Sequence, residues 1–159
     1  MKLRFFERVA QGKEGWRAVV GWPGYFVNVH GTVLGPRRFL KALLKGTRSP
    51  YPSVCLTSET RSAWVAVHLI VARAFLGEAQ GREVDHVDGN RMDPALYDEQ
   101  GEVRLEYVDK AENVRRSVSR GLSLKTRREI AELARKARKR GTAVHKVQKE
   151  ALKIAGRAA

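Results

Sequence analysis

An aspartate, a histidine and a distant asparagine are the residues of this 159-residue chain best suited to do chemistry. Asp85 and His86 are neighbours in Val84-Asp85-His86-Val87-Asp88-Gly89-Asn90, and Asn113 follows in Ala111-Glu112-Asn113. Carboxylate and amide oxygens are hard ligands that suit one divalent cation, Mg2+ or Mn2+. An imidazole beside them suits a proton acceptor near neutral pH. The same three residue types are common in turns, so a hydrogen-bonded hairpin without chemistry also fits.

Positioning these groups takes a hairpin and a helix. Asp85 and His86 fall on a short strand, where neighbours point to opposite faces unless a bulge or the strand end intervenes. Asp88-Gly89 is a turn signal just beyond, which places His86 near the end of that strand. Leu105-Glu106-Tyr107-Val108 reads as the returning strand. Asp109-x-x-Glu112 then reads as a helix start in which Asp109 caps free N–H groups and Glu112 reaches back. Asn113 lies in the first turns of that helix, able to face the hairpin.

The three pieces together resemble the HNH nucleases of the ββα-metal fold, in the branch of phage and intron-encoded homing endonucleases. The resemblance implies that Asp85 and Asn113 hold one divalent metal ion and that His86 is the general base. It implies double-stranded DNA as the partner, with a monomer cutting one strand per active site and dimerisation as the alternative. It also implies a phage or mobile-element protein working in the host cytoplasm. Arg104 stands where many relatives carry an asparagine that ties the loop backbone together. Arginine has no acceptor oxygen, so Asn90 or the loop backbone must compensate, or the loop is less rigid. A degenerate protein that binds DNA without cutting it is the alternative.

Upstream, Trp16 to Leu34 reads as short strands joined by turns at Gly21-Trp22-Pro23-Gly24 and His30-Gly31. Its Trp, Gly-Tyr and Asn-x-x-Gly-x-Val resemble the small NUMOD-like module found ahead of such nucleases. Arg37, Arg38 and Lys41 follow, and fit either a DNA backbone or a solvated loop. Tyr51–Thr57 and the stretch from Ser62 form a further hairpin. Cys55, between Val54 and Leu56, reads as a small core residue rather than a nucleophile. Apolar residues at 67, 70, 71, 74 and 75 have helical spacing, and Gly77 ends that helix. His68 on it reads as a satisfied histidine near the helix start, with a metal-ligand role as the alternative.

Net charge is +14. Residues 115–159 hold 15 Lys/Arg against 3 acids, so the C-terminal stretch carries most of the basic field expected of a segment that meets a polyanion. Arg115, Arg116 and Arg120 lie on the motif helix. Arg127, Arg128, Arg135, Lys136, Arg138 and Lys139 crowd the polar side of the next, whose apolar face is Ile130, Leu133, Ala134 and Ala137. Gly141-Thr142 separates this helix from a last one, a weak helix-turn-helix pattern that must pack on the body, dimerise or order on DNA. One cysteine excludes an internal disulfide, and no apolar run or signal-peptide core appears, so a soluble intracellular protein with no membrane partner is expected. The expected class is α+β: an N-terminal β-hairpin module over 1–62, a ββα-metal nuclease core over 63–121 and a basic helical tail over 122–159.

Overall fold

The computed structural model describes residues 15–46, 50–119, 124–139 and 144–156. It is a mixed α+β structure with three small antiparallel sheets and four helices among the described residues. The first sheet holds β1 (Trp16–Ala18), β2 (Phe26–Asn28) and β3 (Val33–Leu34). The second holds β4 (Leu43–Lys45), β5 (Tyr51–Thr57) and β6 (Ser62–Ala66). The third is the hairpin of β7 (Glu83–His86) and β8 (Leu105–Val108). Around them lie α1 (Val67–Leu76), α2 (Lys110–Ser119), α3 (Leu124–Lys139) and α4 (Val144–Gly156).

Helix α1 is the hub. It starts directly after β6 and stops at Gly77, whose φ of 84° suits a residue without Cβ. Its apolar stripe of Val67, Ile70 and Val71 packs with Val27 and Val33 of the first sheet, Val54 and Leu56 of the second, and Leu105 of the third. One core therefore runs through both sides of the expected 62/63 boundary, which falls inside β6. Tyr25 ties the first two sheets directly: its hydroxyl donates to Thr57 O and accepts from Thr57 N, both at 3.0 Å.

Cys55 corrects an expectation. It is exposed, paired across the ladder with Trp64 on the outer face of the second sheet. Strand alternation explains this, since Val54 and Leu56 turn inward and the residue between them must turn out.

The C-terminal helices pack on the body. Ala134 and Ala137 of α3 and Val147 and Ala151 of α4 are buried together with Leu44 of β4 and Met92 of the loop between β7 and β8. Leu133 packs beside them, so most of the predicted apolar face of α3 is in use. Arg120, Gly141-Thr142, and the side chains of Ile130, Arg127 and Arg138 lie outside the described residues. No helix among the described residues is long and apolar enough to cross a membrane.

Candidate active site

β7 and β8 pair without a bulge: Glu83 lies opposite Val108, Val84 opposite Tyr107, Asp85 opposite Glu106 and His86 opposite Leu105. A regular ladder sends Glu83 and Asp85 to one face and Val84 and His86 to the other. The strand does end at His86, as its Asp-Gly neighbour predicts. Gly89 N donates to His86 O at 2.7 Å and closes the turn.

Helix α2 covers the Asp85 face. Asp109 caps it, its Oδ1 accepting from Glu112 N at 2.8 Å. Glu112 does not reach back as expected; its carboxylate pairs with Arg115 at 2.8 Å and accepts from Arg116 Nε at 2.7 Å. Two side chains one turn apart then meet the strand, as i,i+3 spacing allows. Asn113 Nδ2 donates to Glu83 Oε2 at 2.8 Å. Arg116 Nη1 lies 3.6 Å from Asp85 Oδ2 and forms an ion pair with Glu106. Hydrogen bonds to Glu112 and Glu106 hold the Arg116 guanidinium above its ordinary pKa. Asp85 and Asn113, 28 positions apart in sequence, thus serve one hairpin–helix interface.

His86 occupies the opposite face, toward α1. It is buried and its ring packs against His68, 4.9 Å between centroids. Tyr51 packs on His68 at 4.8 Å. Burial, with Arg91 adding to it, lowers the His68 pKa from 6.5 to about 4, so this imidazole is neutral at physiological pH. The expectation of a satisfied histidine holds only in part: His68 Nδ1 is buried with no hydrogen-bond partner among the described residues. No group of three or more His, Cys, Asp or Glu suited to a metal ion occurs among the described residues.

The loop from Val87 to Arg104 is tied by charge. Arg104 Nη1 donates to Asp93 Oδ2 at 2.5 Å and lies 3.2 Å from Asp88 Oδ2. Burial pushes the Asp88 carboxyl up, against the opposing pull of Asn90 N–H and Arg104. Asn90 is buried, its Oδ1 accepting from Met92 N at 3.2 Å and its own N–H donating to Asp88 Oδ1 at 2.9 Å. Arginine therefore bridges the loop as a donor where an asparagine would have used both ends of its amide. Beyond the bridge, Leu96 N donates to Val29 O at 2.8 Å and docks the loop on the first sheet.

The site fits a hard divalent cation by its donor set. Asp85 offers a carboxylate and Asn113 an amide oxygen, because its nitrogen is committed to Glu83. Two protein oxygens with the rest of the shell left to water and substrate match the coordination habits of Mg2+. Sequence reasoning missed Glu83, Glu106 and Asp93. Glu83 was within reach of it, since a residue two before Asp85 on a strand shares its face.

The candidate DNA contacts are exposed at Arg37, Arg38, Lys41, Arg115, Arg128, Arg135, Lys136 and Lys139. Arg116 differs: it is half-buried and engaged with the carboxylates of the site.

No family model matches the chain, and no curated protein does. A solved structure does match, one described as DNA binding and cleavage by the HNH homing endonuclease I-HmuI. The TM-score is 0.56 with 27% sequence identity over 74% of this chain and 66% of that one. The fold is similar to that of an HNH homing endonuclease. This chain spans just under two thirds of that protein's length, and the similarity takes in more than the hairpin and helix alone.

Proposed function

We propose that this chain is a metal-dependent DNA endonuclease of the HNH homing type, hydrolysing phosphodiester bonds and nicking one strand per active site. The observation that carries the reading is the hairpin–helix interface, where α2 meets Asp85 through Arg116 and Glu83 through Asn113, with His86 at the last rung of the same strand. Asp85 and Asn113 are the ligands for one Mg2+ or Mn2+. When bound, the ion supplies charge stabilisation at the scissile phosphate and at the leaving oxygen. His86 is the general base, taking the proton of the attacking water. Exposed Arg and Lys side chains on α3 and at positions 37, 38 and 41 hold the DNA backbone.

A second reading is a DNA-binding protein that keeps the fold without the chemistry. The burial of His86 favours it, because a base 5% exposed is not yet presented to substrate.

A supercoiled-plasmid assay with Mg2+ or Mn2+ separates the two, run beside EDTA and His86→Ala controls. Metal-dependent open circles that vanish in the variant are expected. Retarded DNA in a gel with no cleavage of any substrate would overturn the endonuclease reading in favour of the binding one.

A further inference from the structure

We propose that Glu83 is a positioning residue for the cation site, fixing the amide of Asn113 so that its oxygen and not its nitrogen is offered to the metal. This rests on the reading of Asp85 and Asn113 as ligands. A free asparagine amide turns readily, and its two ends are nearly isosteric but chemically opposite: the oxygen can ligate a cation and the NH2 cannot. A carboxylate has acceptors only. The 2.8 Å contact between Asn113 Nδ2 and Glu83 Oε2 therefore admits one orientation, since the flipped amide would set oxygen against oxygen.

The strand places this acceptor on the correct side. Glu83 precedes Asp85 by two residues on a bulge-free strand, so both carboxylates share the face covered by α2, with Cα atoms about 7 Å apart. The first holds the nitrogen end of Asn113, and the second faces the same helix beside Arg116. Asp85 and Glu83 have different neighbours: Arg116 approaches Asp85, and Asn113 approaches Glu83. Carboxylates that orient a metal-binding group from behind change affinity by about 10–100-fold when removed.

Mn2+ binding by the metal-free full chain, followed by electron paramagnetic resonance, tests this with Glu83→Gln, Glu83→Ala and Asp85→Ala. The Gln amide oxygen can still accept from Asn113 and carries no charge, although its NH2 also permits the flipped pairing. Glu83→Gln should hold Mn2+ within about threefold of wild type, whereas Glu83→Ala should weaken it about tenfold or more. The Asn113 side-chain NH2 resonances, read without metal, should shift in Glu83→Ala and far less in Glu83→Gln. Equal losses in both variants would make Glu83 a ligand or a bare charge, and unchanged affinity in Glu83→Ala would give it no role; either overturns the proposal. A wild type that binds no Mn2+, or an Asp85→Ala variant that binds as wild type does, would instead bring down the ligand assignment and this inference with it.

Discussion

The rings of His68 and His86 pack 4.9 Å apart at a tilt of 59°, joining α1 to the last rung of the β7–β8 hairpin. Both are buried, and the His68 pKa falls to about 4, with burial the larger cause and Arg91 the lesser. A histidine whose folded pKa lies below its unfolded value of 6.5 takes up its proton first in the unfolded chain. Its neutral packing therefore supports the fold fully above pH 6.5 and loses that advantage as pH falls toward 4. At pH 5 the loss amounts to about 2 kcal/mol. His68→Phe keeps an aromatic ring and has no proton to take up. Urea melts at pH 7 and pH 5 should show the variant losing about 2 kcal/mol less than wild type across that interval. Parallel losses in the two proteins would refute the assignment.

Arg104 joins Asp88 and Asp93 across the loop in a partly buried setting. Arg104→Ala leaves two carboxylates short of a partner, and should cost about 1–3 kcal/mol of stability. Lysine can supply charge but not the planar fork, so Arg104→Lys should recover only part of the loss. A double-mutant cycle with Asp93→Ala measures the pair directly. A coupling energy near zero would mean that Asn90 and the backbone hold the loop by themselves.

The local signals were the legible ones. Spacing and Gly77 gave α1 its ends, Asp88-Gly89 gave the turn after His86, and Asp109 gave the start of α2. Each acts within a few residues, where propensity and capping decide the outcome. The misjudged Cys55 was also local, a case of weighing residue type above strand alternation. What stayed hidden depends on contacts between distant segments. Asn113 finding Glu83, Leu96 N finding Val29 O and α3 finding Leu44 each join residues at least 30 positions apart. Charge pattern marked Arg116 as a DNA contact, yet three nearby carboxylates draw it into the site.

Gly31 is the point where the active-site loop meets the N-terminal hairpin. Its φ is 76°, and a Cβ there would lie 2.7 Å from Pro94 Cγ and 3.2 Å from Val67 Cγ1. Gly31→Ala should therefore cost about 1–3 kcal/mol from backbone strain, with the clash against the Pro94 ring added to it. The effect should reach the neighbouring bond from Leu96 N to Val29 O. Hydrogen exchange at the Leu96 amide should speed up more than global destabilisation explains. If Leu96 exchanges only in step with global unfolding, the loop is not docked through this turn.

Docking of α3 determines where its basic side chains are presented. Ala134 is fully buried against a cluster that includes Leu44 and Met92, so Ala134→Glu puts a carboxylate into apolar surroundings. An unpaired buried charge costs several kcal/mol, more than a small apolar contact can offset, and the helical pair should come off the body. Trypsin should then cut within 124–139 well before it cuts the sheets. If α3 meets phosphates through Arg128, Arg135 and Lys139, the slope of log K against log salt should fall by about 0.9 for each phosphate that is no longer neutralised. Lys136 should count for less, since Glu132 already holds it at 2.8 Å. Replacing Arg128, Arg135 and Lys139 by alanine in the otherwise native chain separates charge from docking. That variant should resist trypsin over 124–139 apart from the sites removed, yet show the shallower slope. An unchanged slope would assign the DNA contacts elsewhere and leave α3 a structural buttress for β4.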